Sequence, residues 1–385
     1  MAHSPNRIPS LDGFRAISIL LVAYGHLCGT HRFPVSTVDY ARSLGDVAHL
    51  GVLVFFVISG FLITSLLMSE REKTGSISLK QFYFRRVLRI FPAFYALILV
   101  VFLASLLGWI SLNGRDFAFA LTYTINYDAH RSWQVGHLWS LSIEEQFYLL
   151  WPLVLLALRE RRALVVAIVA IFAAPLVRAG ISWIHRGHPH SPLYGMIVFP
   201  AMCDYLATGC ALALLRPWLL AQGWYARLTA SPWLLVTVPV ILMITRFSNH
   251  ALVLLVCSPL LNVCVALLIE SSTRHDRTLA GRFLNWKPVA FIGVLSYSLY
   301  LWQQLFLDRD SNQWINAFPQ NIAFAVVAAL LSYFLIERSF LRFRRRLEHA
   351  TRLPMHTDSV GSVTDTRELV AERAVDTSAG NPPMV

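Results

Sequence analysis

Residues 51–64 read GVLVFFVISGFLIT, fourteen positions without one charged side chain. With their neighbours over 47–68 they are long enough to cross a hydrocarbon core of about 30 Å, which takes about 20 helical residues. Nine more stretches have the same character: 14–31, 92–111, 138–158, 163–184, 196–215, 232–247, 250–270, 288–307 and 320–337. Pro175 and Arg178 interrupt the 163–184 stretch, and 232–247 is short. The pattern predicts an all-α polytopic membrane bundle of about ten transmembrane helices.

Composition agrees. Of 385 residues, 56% are hydrophobic and 14% charged, where a soluble domain is about a quarter charged. The mean hydropathy is +0.54. A soluble enzyme, a nucleic-acid module, a disordered chain and a disulfide scaffold all fit poorly. The net charge of +11 is a matter of topology rather than of a nucleic-acid partner. With both termini cytoplasmic, the inner loops 69–91, 159–162, 216–231 and 271–287 and the stretch 338–346 hold 20 Lys and Arg. The outer loops hold 7, namely Arg32, Arg42, Arg115, Arg131, Arg186, Arg246 and Arg309. Basic residues concentrate on the cytoplasmic side of membrane proteins. The N-terminal residues 1–13 lack the apolar core of a cleavable signal, so the first span is expected to stay in the protein. Residues 1–346 form the expected membrane domain. From about 347 the chain turns polar, without aromatics, and 347–385 is expected to be a disordered cytoplasmic tail. The cysteines, Cys28, Cys203, Cys210, Cys257 and Cys264, form no CxxC pair and read as small apolar residues.

Polar groups inside apolar spans are expensive, and each is a functional hypothesis. In SLDGFRAISILLVAYGHL, Arg15 and His26 are eleven residues apart. Eleven steps of about 100° return to nearly the same face, about 16 Å further along the axis. In HLWSLSIEEQFYLLWP, the residues His137, Ser140, Glu144 and Tyr148 share one face, and Glu145 points elsewhere. Structural readings stand beside these: a histidine bonded to a neighbour, an anchoring arginine, an acid in a helix-joining ion pair. Gly51, Ser59 and Gly60 read as a close helix contact, with Ser59 as nucleophile the alternative. Arg85, Arg86 and Arg89 cluster in the loop FYFRRVLRIFP, where guanidinium forks suit phosphates or lipid headgroups. In SYSLYLWQQLF a polar stripe of Ser296, Tyr300 and Gln303 or Gln304 suits helix–helix hydrogen bonding. His185, His188 and His190 match no standard metal spacing, and no metal is expected. Counting from span ends, His26 lies about 18 Å above the inner end of its helix and Glu144 about 9 Å below the outer end of its own. In a core of about 30 Å these depths coincide, so one buried site is expected to hold both.

The segments SLDGFRAISILLVAYGH, GVLVFFVISGFL, RRVLRIFPAFY, LWSLSIEEQFYLLWP and SYSLYLW, in that order over residues 7–338, resemble the acyltransferase-3 family of integral membrane acyltransferases. The resemblance implies a multi-pass enzyme of a bacterial inner membrane that moves an acyl group, usually acetyl, from acyl-CoA to a hydroxyl. Carbohydrates such as cell-surface polysaccharides and glycolipids are the usual acceptors, and macrolides are an alternative. It makes His26 the essential histidine with Arg15 its motif partner, Arg86 and Arg89 an RxxR element, and Glu144 the acid of SxEEQFY. After LYLW many members carry histidine, and this chain has Gln303.

The expected chemistry is then acyl transfer, made either directly or through a covalent acyl-enzyme. His26 takes the acceptor proton and Glu144 orients the imidazole. Arg15, Arg86 and Arg89 hold the phosphates of acetyl-CoA or another acyl-CoA. Tyr300, Gln303, Trp139 and Ser59 are the candidates to contact substrate and receive the oxyanion. The competing class is a transporter of a polar solute or of protons that uses His26 and Glu144 as a relay. The lipid bilayer is a partner in either case.

Overall fold

The computed structural model describes residues 8, 10–39, 46–187, 197–246 and 251–352. Among them there are helices and turns and no strand. The chain divides into two units, 1–342 and 343–385. Of the second, only helix up to Arg352 is described, so that the Arg338–Arg352 helix runs past the expected start of the tail. His188 and His190 lie outside the described residues.

Among the described residues, six helices are long and apolar enough to cross a membrane: Val47–Thr74, Leu79–Leu106, Glu160–Ile184, Leu255–Arg274, Lys287–Phe306 and Gln320–Leu347. A seventh candidate is the pair Gly223–Ala230 and Pro232–Ile244, bent by 62°. Three other expected spans fall on helices that miss this measure. Leu11–Leu27 has 17 residues, Leu138–Ala157 carries Glu144 and Glu145, and Phe199–Leu220 carries Asp204. The first misses on length, and acidic residues lower the hydropathy of the other two.

Small residues set the packing. Gly51 of Val47–Thr74 lies against the Ser18 backbone of Leu11–Leu27. Gly60 and Gly209 let Val47–Thr74 and Phe199–Leu220 cross backbone to backbone. A Cβ at Gly60 would stand 2.9 Å from the Leu206 carbonyl carbon, closer than real contacts allow. Arg178, which broke the apolar pattern, is answered by Asp204. The guanidinium meets both carboxylate oxygens at 2.8 Å, and Asn262 Nδ2 adds a 3.2 Å bond. Arg216 and Glu270 form a second such pair at 3.0 Å.

The arginine cluster departs from expectation. It is not in a loop: the helix starts at Leu79, capped by the Ser78 side chain on Gln81 N–H, and carries Arg85, Arg86 and Arg89 within its first three turns. Hydropathy starts a span where charge ends, whereas hydrogen bonding starts a helix at its cap. Arg85 turns to Glu70 at 2.9 Å, whereas Arg86 and Arg89 line a cavity with Arg15.

Candidate active site

Arg15, from Leu11–Leu27, meets Arg86 and Arg89, from Leu79–Leu106, at one cavity. Ser59, Ser140, Glu144, Tyr148, Ser296, Tyr297 and Tyr300 complete its polar wall, and Val52, Phe55 and Leu62 are among its apolar residues. Ser59 Oγ donates to Glu144 Oε1 at 2.7 Å and accepts from the Tyr148 hydroxyl at 3.1 Å. The Arg86 guanidinium lies over the Tyr148 ring, 3.7 Å from its centroid. All three arginines are within electrostatic range of Glu144. Arg15 also bonds Asp12 at 3.3 Å. The spacing that put Ser140, Glu144 and Tyr148 on one face therefore holds, and Glu145 is absent from this wall.

His26 is elsewhere. Its Nδ1–H donates to Gln303 Oε1 at 2.9 Å, which leaves Nε2 with a free lone pair. The Trp133 ring stands edge-on at 5.5 Å. The Arg309 guanidinium lies 5.1 Å from the Trp133 ring centroid and donates to Gly25 O at 2.6 Å. Neither His26 nor Gln303 lines the cavity.

The expected imidazole–carboxylate pair is thus not made: Glu144 bonds Ser59, and His26 bonds Gln303. Helix register explains it. The His137 Nε2–H donates to Leu301 O at 3.1 Å, and Ser140 shares a hydrogen bond with Tyr300, so Leu138–Ala157 and Lys287–Phe306 run antiparallel. Glu144 lies seven residues one way from this contact and Gln303 two residues the other. Together these are about 13 Å of helical rise. Counting depth from span ends overlooked the fact that the helices begin at different heights.

Three of the four expected substrate contacts separate for the same reason. Tyr300 sits in the cavity wall and donates to His137 O at 2.7 Å. Gln303 is on His26. Trp139 stacks on His49, with centroids 5.9 Å apart, and is edge-on to Phe56. Sequence reasoning did not reach Trp133, Arg309 or His49. The first two stand outside any apolar span, and no local pattern marks a residue that becomes a neighbour only through chain reversal. It also weighted Ser59 towards packing, because the carboxylate it meets is 85 residues away.

An arginine-lined cavity and a lone-pair imidazole thus stand in one apolar helical bundle. The chain belongs to the acyltransferase-3 family: residues 8–337 match the family described as Acyltransferase domain. It is similar to the peptidoglycan O-acetyltransferase OatA of Listeria monocytogenes, 28% identical over 365 residues, covering 88% of this chain and 55% of that protein. A Bacillus subtilis protein named putative peptidoglycan O-acetyltransferase YrhL is 28% identical, over 88% of this chain and 56% of its own length. O-acetyltransferase OatA of Staphylococcus aureus is 31% identical, over 78% and 50%. The chain spans about half the length of these relatives. No solved structure matches it.

Proposed function

We propose that the chain is a membrane O-acyltransferase that moves an acyl group, acetyl first among candidates, from acyl-CoA to a hydroxyl of a cell-wall or other cell-surface carbohydrate. In this reading it crosses a bacterial inner membrane ten times, with both termini cytoplasmic. The observation that carries it is the convergence of Arg15, Arg86 and Arg89, from two helices, on one cavity. Three guanidinium forks suit the phosphates of a CoA ester. The carbohydrate acceptor rests on the names of the relatives.

A bound CoA thioester supplies an activated acyl carbon. The residues supply the rest. The arginines hold the phosphates, and the path from Arg15 to His26, about 16 Å of helical rise, suits an extended pantetheine arm. His26 Nε2 takes the acceptor hydroxyl proton. Gln303 Oε1 holds the imidazole in that tautomer, the role expected of Glu144. Glu144 and Ser59 belong to the arginine cavity and shape the donor site. The transport alternative needs His26 and Glu144 in one relay, and here each has a different partner.

The test uses purified full chain in liposomes, acetyl-CoA and a peptidoglycan fragment. Acceptor-dependent release of CoA is expected, with a loss of at least about 100-fold in His26→Ala. CoA release by His26→Ala at the wild-type rate would remove the proposed base.

A further inference from the structure

The reaction just proposed needs a donor for the negative charge that develops on the acyl carbonyl oxygen. The polar groups around His26 can be sorted by what their hydrogens already do. The Tyr300 hydroxyl donates to His137 O at 2.7 Å, and Ser59 donates to Glu144 at 2.7 Å. His137 uses Nε2–H on Leu301 O, so its unpartnered Nδ1 carries a lone pair and repels an anion. Gln304 Nε2 donates to Trp133 O. Trp302 Nε1 has no partner, but it is one residue before Gln303 and so about 100° around the helix.

Gln303 is different. It is 1% exposed, and its Oε1 is engaged by His26, while its Nε2 is buried with no hydrogen-bond partner. Leaving a buried donor unmet is unfavourable. Folding supplies no group to meet it, and it belongs to the amide that holds the candidate base. We propose that Gln303 donates an Nε2 hydrogen to the acyl carbonyl oxygen while its Oε1 holds His26, so that one buried amide both orients the base and receives the oxyanion. This rests on the transferase reading above and adds a catalytic residue to it.

The step balances. The acceptor oxygen bonds the acyl carbon and its proton passes to His26 Nε2. The carbonyl electron pair moves onto oxygen, where the Gln303 amide meets it. Collapse re-forms the carbonyl, breaks the carbon–sulfur bond and returns the proton from His26 to the departing thiolate. Imidazole and amide end as they began.

Two variants divide the roles. Gln303→Glu keeps an acceptor for His26 Nδ1–H and removes the donor, and Gln303→Leu removes both. With purified full chain and carbonyl-labelled (13C) acetyl-CoA, without acceptor, difference infrared spectra report the hydrogen bond directly. The wild-type carbonyl band is expected below that of free acetyl-CoA, the band of both Gln303 variants at the free position, and that of His26→Ala still lowered. For Gln303→Glu, kcat should fall about 100-fold, with the acetyl-CoA KM changed less than about twofold. A wild-type enzyme that releases CoA but leaves the carbonyl band unshifted overturns the Gln303 donor and leaves the transferase reading intact. Absence of CoA release in the wild type overturns that reading itself. Should either variant fail to fold, the wild-type and His26→Ala bands decide.

Discussion

Arg89→Ala, combined with Arg86→Ala, tests what the cavity binds. Both guanidiniums line the same space as Arg15, and a hydrogen bond to a charged group contributes about 1.5–3 kcal/mol. At about 1.4 kcal/mol per tenfold, each lost phosphate contact weakens binding about 10- to 150-fold. Arg86 also covers the Tyr148 ring at 3.7 Å, so its truncation removes packing that has nothing to do with phosphate. The ligand resolves that ambiguity. Acetyl-CoA carries the phosphates, and acetyl-pantetheine has the same thioester without them. Isothermal titration of wild type and double variant with both ligands forms a cycle in which the packing loss cancels. The expected coupling is at least about 100-fold, with the acceptor KM unchanged. The wild-type affinity for acetyl-CoA should fall as salt rises, and that of the double variant should fall less. An equal loss of both ligands would refute phosphate binding at these arginines.

Three further outcomes follow from particular contacts. Ser59→Ala should slow turnover about tenfold, because it removes one hydrogen bond to Glu144, worth about 1–2 kcal/mol; steady-state kinetics showing a loss beyond about 1,000-fold would make the serine a nucleophile and end the direct-transfer reading. Arg178→Met should destabilise by about 3–5 kcal/mol, since Asp204 is fully buried and keeps Asn262 as its remaining side-chain partner. The double variant Arg178→Met with Asp204→Leu should recover most of that loss in denaturant titrations in detergent, and no recovery would mean the pair is not a closed charge unit. Gly60→Leu should abolish folded yield by size-exclusion chromatography, because the added side chain meets the Leu206 backbone; a normal yield would show that this helix crossing yields easily.

Much of this molecule could be read along the chain. Apolar length and the absence of charge in residues such as 51–64 are local properties, and they announced helices crossing a bilayer. The eleven-residue step from Arg15 to His26 and the four-residue steps from Ser140 to Tyr148 are fixed by helical geometry alone. The cavity wall bears out the second. Helix ends were less legible, since caps rather than hydropathy decide them. That is why Arg86 and Arg89 turned out to be helical.

By itself the chain determined which residues were unusual for lipid: Arg15, His26, Arg86, Arg89, Glu144 and Gln303. Which of them meet was left to the tertiary structure. His26 found Gln303 across 277 positions, and Glu144 found Ser59 across 85. The physical reason is that turn angle and rise relate residues within a helix, while the relative height of two helices follows from glycine crossings, loops and buried ion pairs elsewhere in the bundle. The axial separation of about 13 Å between Glu144 and Gln303 on two antiparallel helices leaves no mark on either sequence, yet it gives the imidazole an amide instead of a carboxylate.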